Sequence, residues 1–384
     1  MANLGPSFTR RDLLVATAAV AGTSVFGGLT LASCSNPTSA VRFPAALPSG
    51  GTIGICAPSA GVPKAVAARY EFAVNFLRQR GYRLIIAGPI VSDAIVSAPA
   101  PERAAALQSL LTNPEVDVVL PPWGGELLID ILPLLDWTAL RTAQPPWVVG
   151  YSDLSTFQVP YLLNTGTASL DGSNLLETPI NPPAPGLKWW PDVVSLPAGS
   201  NFQQTSATAY QSSDVDWAKH PTATTFELKT PSRWKILGHE GDPGYTVTAS
   251  GRIIAGTIDV LAPLAGSRFG DVRAFARRVS PDKLIIALDA ADFNTAQYAR
   301  ALWDLRGAGW FDSASMIVLG RTGAEQVSGF TVRDAANDAL AGLAVPVVYD
   351  ADIGHLPPQM AWVLGATATL AVGGGRATLS QTLA

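Results

Sequence analysis

Cysteine and charge are both scarce in this sequence of 384 residues. It has two cysteines, and charged residues make up only 15% of the chain. This low charge, together with a positive mean hydropathy, is typical of a well-buried folded protein and excludes a largely disordered one. The net charge of −4 offers no basic surface for nucleic acid, so we expect no nucleic-acid partner.

Long apolar runs are absent beyond the N-terminus, so we expect no second membrane-spanning segment. Histidine is also rare, with only His220, His239 and His355 in the chain. No spacing of Cys, His and carboxylate residues suggests a structural metal. We therefore expect neither a metal nor another cofactor.

The N-terminus carries an export pattern. Residues 9–14, Thr-Arg-Arg-Asp-Leu-Leu, are typical of a twin-arginine signal, and an apolar, alanine-rich segment follows over residues 13–31. Residues 31–34, Leu-Ala-Ser-Cys, resemble a lipobox, in which Cys34 becomes diacylated after cleavage. The alternative is an uncleaved transmembrane anchor. The preferred interpretation places the protein on the extracytoplasmic side of the membrane, held by lipid at Cys34.

The other cysteine, Cys56, follows an apolar run and is predicted to be a small core residue. With Cys34 lipidated, no intrachain disulfide can form.

The whole chain divides by composition into five predicted segments. Strand-like and helix-like patterns alternate in the N-terminal half, which predicts an α/β fold with a parallel sheet. A stretch rich in Pro, Ser, Gln and Thr then separates it from a more β-rich half. The predicted segments are a signal peptide at 1–33, a tether at 34–48, an N-terminal domain at 49–180, a linker or lid at 181–225 and a C-terminal domain at 226–384.

One stretch, residues 120–136, has the pattern of a nucleophile elbow. Residues 116–120 predict a short buried strand, the pair Gly124-Gly125 ends it, and a helical pattern begins at Leu127. In such an elbow, backbone N–H groups converge on a reacting oxygen beside a serine or cysteine. No such side chain is present here. An ordinary strand–loop–helix connection is the alternative.

Further polar residues follow other predicted strands. Asp289 closes the apolar run 284–289, and His355 comes shortly after the final inner strand. Histidine at such a position is an acid–base candidate, and a carboxylate can orient it. Because ligands bind beyond the carboxyl ends of parallel strands, the substrate-binding candidates are Trp123, Gly124, Gly125, Ser152 and Asp153. Asp153 is also a candidate N-cap for a helix over 154–164.

Taken together, these pieces resemble the LD-carboxypeptidase family of serine peptidases, which includes muramoyl-tetrapeptide carboxypeptidases and microcin C self-immunity proteins. The resemblance extends from about Gly51 to the C-terminus. The matching segments are residues 54–61, 123–125 with 132–136, 150–156, 251–256, 284–289 with 299–302, 318–321 and 354–355.

The resemblance implies a Rossmann-like N-terminal domain and a swivelling, β-rich α/β C-terminal domain. It also implies a Ser–His–Glu triad at their interface and a homodimer. The substrates would be peptidoglycan fragments or related peptide conjugates, cleaved at an amide beside a D-residue.

The triad can be carried over only position by position. The family's histidine falls on His355, and its glutamate falls on Asp289, a shorter carboxylate. Its serine lies in a Gly-Gly-x-x-Ser pattern five residues before a proline, and counting from either side gives Leu128. Leucine has no nucleophilic atom, so the family mechanism cannot operate there as written. Glu126 and Ser152 are the nearest candidates for a replacement.

Three functions remain open from the sequence. The protein is a hydrolase with a displaced nucleophile or an activated water; or it is a catalytically inactive, peptide-binding envelope lipoprotein of the same fold. The third is a solute-binding lipoprotein of a transporter, which the order of the matched motifs disfavours.

Overall fold

The computed structural model describes residues 41–213 and 215–384. The N-terminal half builds a six-stranded sheet. Its strands in chain order are β1 (Thr52–Ile55), β2 (Arg83–Ile86), β3 (Val118–Val119), β4 (Trp147–Gly150) and β5 (Ser169–Asp171). They are parallel to one another in the spatial order β5-β4-β3-β1-β2, and the sixth strand comes from the C-terminal half.

The helices of this half alternate with the strands, as expected for parallel connections. They are α1 (Ala67–Gln79), α2 (Ala100–Leu111), α3 (Trp137–Thr142), α4 (Ser155–Thr165) and α5 (Trp190–Val194). Helix α4 has nine buried residues because it packs against elements of both large sheets.

The second sheet has eight strands. In chain order they are β6 (Asn201–Thr205), β9 (Lys235–Ile236), β10 (Thr246–Thr257), β11 (Leu284–Asp289), β12 (Ala314–Gly320), β13 (Val347–Ala351), β15 (Thr367–Gly373) and β16 (Arg376–Thr382). Strands β10 to β13 are parallel neighbours, and the outer strands are antiparallel. Every residue of β11 is buried, which explains its continuous apolar run.

The remaining elements complete this half. Strands β7 (Ala209–Tyr210) and β8 (Thr230–Pro231) form a small two-stranded sheet. Strand β14 (Trp362–Leu364) is the sixth strand of the first sheet and pairs antiparallel with β5. The helices are α6 (Ile258–Leu261), α7 (Val272–Arg278), α8 (Thr295–Gly307) and α9 (Val332–Leu340). The predicted α/β class, with a parallel sheet in the N-terminal half and a β-rich α/β C-terminal half, is therefore confirmed.

Two predicted segment boundaries differ from the structure. Residues 41–48, assigned to the tether, are folded: Arg42 exchanges backbone hydrogen bonds with Gly166 and Ala168, and Leu47 is buried. The predicted linker at 181–225 is also largely built in. It supplies α5 and β6, because its apolar side chains fill the core despite the high proline content.

The stretch after β3 also differs in detail. The predicted strand 116–120 is shorter, at Val118–Val119, although Asp117 and Leu120 also donate backbone hydrogen bonds to β1. The predicted helix is a 3-10 helix over Leu128–Leu134 containing Pro133. Pro133 has no backbone N–H to donate, which disfavours α-helical geometry at this position. Within the described residues, no helix has the length and apolarity that crossing a membrane would require. The predicted signal peptide, Cys34 and the first part of the tether lie outside the described residues.

Candidate active site

Three side chains from different strands meet at one point. The Nδ1 atom of His355 lies 2.6 Å from Oδ2 of Asp289, and its Nε2 atom lies 3.0 Å from Oγ of Ser152. Asp289 is the last residue of β11, His355 follows β13, and Ser152 follows β4. An acid, an imidazole and a hydroxyl in this order have the arrangement of a hydrolytic triad.

Asp289 is held by a second contact. It is 1% exposed, and its Oδ1 accepts a 2.8 Å hydrogen bond from the hydroxyl of Thr257 at the end of β10. The backbone N–H of Thr257 in turn donates to Oγ of Ser155, the first residue of α4. The carboxylate is therefore fixed in the orientation in which its other oxygen meets His355.

The loop that carries His355 is held in two ways. Gly354 has φ +99°, and a Cβ there would lie 2.3 Å from Cβ of Asp289, so only glycine lets the chain pass so close. Arg321, 4% exposed, forms an ion pair with Asp352 before the histidine. It also donates to the carbonyl oxygens of Leu356 and Pro358 after it, at 3.1 and 2.8 Å.

The charge balance at His355 favours the imidazolium. Burial lowers the pKa of His355, but the negative charge of Asp289 and its hydrogen bond outweigh this effect and, with Glu177 and Asp259, raise the pKa to about 9. The ring of Tyr151 lies 5.0 Å from the imidazole, and its hydroxyl donates to Glu177 at 2.7 Å.

A second carboxyl, Asp171 at the end of β5, lies close enough to interact with this pair electrostatically. It is 1% exposed, and neither oxygen has a hydrogen-bond partner among the described residues. Burial and the charge of Asp289 raise the pKa of Asp171 well above 3.8, although His355 opposes this. Burial therefore favours the protonated, neutral form of the Asp171 carboxyl.

Two cavities meet at Ser152 and His355. The larger, of about 430 Å³, includes Trp123, Trp217, Ile95 and Leu176 in its wall, with Asp93, Glu126 and Glu177 as its charged residues. The smaller, of about 350 Å³, contains Glu126, Asp259 and Asp292. In the part of the chain that the structure describes, no lysine or arginine lines either cavity.

The glycine corner, Gly124-Gly125, lies against Ser152. An added Cβ at Gly124 would lie 2.6 Å from both Cβ and Oγ of Ser152, and one at Gly125 (φ +142°) would lie 2.4 Å from Oγ of Ser59. A side chain at Gly124 would therefore displace Ser152, and one at Gly125 would displace Ser59. The corner from the N-terminal half and the Asp289–His355 pair from the C-terminal half therefore face each other.

Two family models match this chain. The model described as the LD-carboxypeptidase N-terminal domain covers residues 53–172, and that described as the LD-carboxypeptidase C-terminal domain covers residues 250–370. The chain belongs to the LD-carboxypeptidase family. Both matched segments contribute to the site, since Ser152 lies in the first, and Asp289 and His355 lie in the second.

Relatives of this family member agree with that assignment. A Vibrio cholerae protein named "Putative carboxypeptidase" is 26% identical over 331 residues, which is 85% of this chain and 93% of that protein. The microcin C7 self-immunity protein MccF of Escherichia coli is 24% identical over 331 residues, 84% of this chain and 90% of its own.

Solved structures share the fold. An MccF-like protein from Bacillus anthracis has a TM-score of 0.69 at 19% identity, covering 89% of this chain and 99% of its own. MccF in complex with glutamyl sulfamoyl guanosine also reaches 0.69, at 22% identity, covering 88% of this chain and 98% of its own. Muramoyltetrapeptide carboxypeptidase from Oxalobacter formigenes reaches 0.60 at 18% identity, covering 86% and 98% of the two chains.

Leu128, the predicted nucleophile position in this LD-carboxypeptidase family member, is a core residue. Its side chain is fully buried and lines neither cavity. Only its backbone N–H is near the site, where it donates to Oδ2 of Asp153 at 2.8 Å. Glu126 is exposed and lines both cavities. Burial and the charges of Asp292, Asp153 and Asp259 raise its pKa.

Asp153 differs from its predicted roles. It is 1% exposed, and its side chain lines neither cavity. It does not cap α4 either, since Leu154 precedes that helix. Its carboxylate accepts instead from Leu128 N–H, Thr156 Oγ1 and Ser59 Oγ, because these buried donors need a partner. Asp153 therefore ties the glycine corner to the segment that carries Ser152.

The other substrate-binding candidates lie in the wall of the larger cavity. Trp123, Gly124, Gly125 and Ser152 all line the larger cavity, and Nε1 of Trp123 donates to the carbonyl of Gly61 at 3.1 Å. Among the described residues, no group of three or more Cys, His, Asp or Glu side chains could hold a metal ion.

Sequence reasoning missed Thr257, Arg321, Tyr151 and Glu177 as supports of the site. Thr257 is the last residue of β10 and Arg321 directly follows β12. Their position at the carboxyl ends of strands was the signal that could have identified them.

Proposed function

We propose that this protein hydrolyses an amide bond in peptides or peptide conjugates, in the manner of the LD-carboxypeptidase family. One observation carries the proposal: the hydrogen-bonded Asp289–His355 pair presents its second imidazole nitrogen to a serine hydroxyl where two cavities meet. Such a pair can take a proton from the attacking group and return it to the leaving amine.

The first substrate class is the LD-linked muropeptide tetrapeptide, from which D-alanine would be released. The named activity of the Oxalobacter relative and the family match support this class. Purified protein is incubated with the tetrapeptide, and D-alanine is followed by chromatography. His355→Ala should abolish release, whereas His220→Ala should not, because His220 is exposed and lines neither cavity.

The second class is an aminoacyl conjugate without a free carboxylate at the cleaved end. The lining favours it, since neither cavity has a lysine or arginine side chain among the described residues to bind a carboxylate. Trp123 and Trp217 offer ring surfaces for a planar group. MccF is described in complex with aspartyl sulfamoyl adenosine. That compound is the second substrate in the same assay.

A catalytically inactive, peptide-binding protein is the competing proposal, and the loss of a nucleophile at Leu128 is what favours it. Calorimetry that shows binding of either compound, without turnover, would support that alternative. In that case folded His355→Ala should bind the compound as tightly as wild type does. Turnover of either compound that requires His355 excludes it.

We also propose export by the twin-arginine route, lipid anchoring at Cys34 and a homodimer. The sequence pattern around Cys34 supports anchoring, and the family resemblance supports the dimer. Mass spectrometry of the membrane fraction should find diacylated Cys34, and an unmodified Cys34 there would refute the anchor. Light scattering of a chain that lacks residues 1–34 should give twice the mass of one chain.

A further inference from the structure

We propose that Oγ of Ser152 is the nucleophile of this protein, at a strand–helix elbow one strand away from the family position at Leu128. The inference rests on the proposed hydrolytic function and specifies how it is carried out. Ser152 lies after β4, whereas Leu128 lies after its neighbour β3. The carboxyl ends of adjacent parallel strands meet at the same edge of a sheet, so one imidazole can serve either position.

The backbone at Ser152 has the conformation of an elbow. Strand β4 is fully buried, Tyr151 is extended, and Ser152 has φ +67°, after which a 3-10 helix and then α4 begin. A positive φ costs a non-glycine residue about 1 kcal/mol or more. Such strain at the tip of a strand–helix turn is what presents a nucleophilic serine in other hydrolases.

The surroundings hold this strained turn in place. A Cβ at Gly150 (φ +144°) would lie 2.4 Å from Oδ1 of Asn174, and that oxygen accepts from the backbone N–H of Tyr151 at 3.3 Å. On the other side, Asp153 binds the N–H of Leu128. The turn is thus fixed from both sides of the serine, while its hydroxyl stays in contact with both cavities.

Backbone N–H groups for a developing oxyanion lie beside it. The N–H of the residue after the nucleophile is the usual first donor, and here it belongs to Asp153. The missing Cβ of Gly124 would be 3.0 Å from that nitrogen and 2.6 Å from Oγ of Ser152. Among the described residues, the N–H groups of Gly125 and Glu126 donate no hydrogen bond. They are available as the second donor.

The reaction balances without a further reactant except water. Oγ of Ser152 forms a bond to the amide carbonyl carbon while its proton passes to Nε2 of His355. The carbon–nitrogen bond then breaks, and the imidazolium gives that proton to the leaving amine. Water attacks the resulting ester, again through His355, and restores the serine hydroxyl together with a carboxylic acid.

Other hydroxyls near the site do not meet the requirement. Ser59 is 1% exposed and donates to Asp153, and Ser155 is fully buried and accepts from Thr257. Neither lines a cavity. Glu126 is accessible, but the side-chain partners of His355 are Asp289 and Ser152. Of these side chains, only Ser152 combines contact with the imidazole and access to a substrate.

The test uses a fluorophosphonate, which phosphonylates activated serines and needs no knowledge of the substrate. The full chain is treated, and its mass and peptide map are measured. We expect one phosphonyl group on Ser152, at least about 100-fold slower labelling in His355→Ala, and none in Ser152→Ala. Ser109→Ala, an exposed helix position distant in sequence, should label like wild type.

Turnover and folding are measured on the same variants. Ser152→Ala should lower kcat by at least about 1000-fold while the melting temperature stays near that of wild type. Ser152→Cys is the second variant if Ser152→Ala fails to fold. Its thiol should react with iodoacetamide, whereas the buried Cys56 should not.

The possible outcomes separate the two proposals. Turnover that needs His355 but survives in Ser152→Ala would mean that the imidazole activates water, which overturns Ser152 and leaves the proposed function intact. Folded wild type that carries no phosphonyl group on Ser152 also overturns the inference. No turnover and no labelling in any variant overturns both proposals.

Discussion

The Asp289–His355 pair should give this protein an alkaline pH optimum. The general base is the neutral imidazole, and the pKa of His355 is raised to about 9. At pH 7 only about 1% of the protein would hold the active base form. The rate constant kcat/KM should therefore rise about tenfold per pH unit from pH 7 and level off near pH 9.

Asp289→Asn should shift this profile because it removes two of the effects that raise the pKa: the negative charge and its hydrogen bond at 2.6 Å. Burial still lowers the pKa, so the acid limb should move to lower pH. The plateau should also fall by about 10³–10⁴-fold, since the carboxylate no longer holds the productive tautomer. Misfolding would lower kcat/KM at every pH, but it would not also move the acid limb of the pH profile.

The same pair should contribute to stability. The pKa of His355 rises from 6.5 to about 9, which corresponds to about 3 kcal/mol. The folded state binds the proton more tightly than the unfolded one, so this stabilisation is fully present below pH 6.5 and is lost as the pH rises through about 9. Stability and activity should therefore change in opposite directions with pH.

Three measurements check the prediction. The first is kcat/KM from pH 6 to 10, and the second is the rate of fluorophosphonate labelling over the same range. The third is titration of the histidine ring signals by NMR, in which three histidines can be assigned by single substitutions. A wild-type limb at pH 6.5 or below, or an identical limb in Asp289→Asn, would refute the reasoning.

Three further substitutions test the frame of the site. Gly124→Ala places a methyl group 2.6 Å from Oγ of Ser152 and should lower kcat by about 100-fold. The control is Gly241→Ala, where nothing lies within 4 Å of the added Cβ. Equal kcat values for the two variants would contradict the packing argument. Ser152→Gly should be about 1 kcal/mol more stable in urea unfolding than Ser152→Ala, because glycine relieves the strain at φ +67°. Asp171→Asn should raise the melting temperature at pH 7 and flatten its decline as the pH rises above 3.8, because the raised pKa of Asp171 makes folding less favourable as the pH rises; an unchanged slope would argue against a raised pKa of this buried carboxyl.

The positions of His355 and Asp289 could be predicted because both follow apolar strands. A parallel sheet brings such residues to one edge, and the structure places them 2.6 Å apart. The α/β architecture followed from the same alternation of strands and helices. Both inferences use only the periodicity of apolar residues along the chain.

The conformation of Ser152 could not be predicted in this way. A positive φ is usually signalled by glycine, and here a serine adopts it under the constraint of packed neighbours. The burial of Leu128 could not be predicted either, because a leucine just after a glycine turn can point to solvent or to the core. Asp153 looked like a ligand-facing residue and is instead an acceptor for three buried donors.

The path of the chain after His355 has a mechanical consequence. From β13 in the second sheet the polypeptide passes through the histidine loop and enters the first sheet as β14, whose register pairs Trp362 with Asp171. It then returns as β15. Pulling the two halves apart would peel this strand from its neighbour and drag the imidazole with it. The two sheets should consequently unfold together in a single calorimetric transition. Any hinge motion between the halves must leave the pairing of β14 with β5 intact.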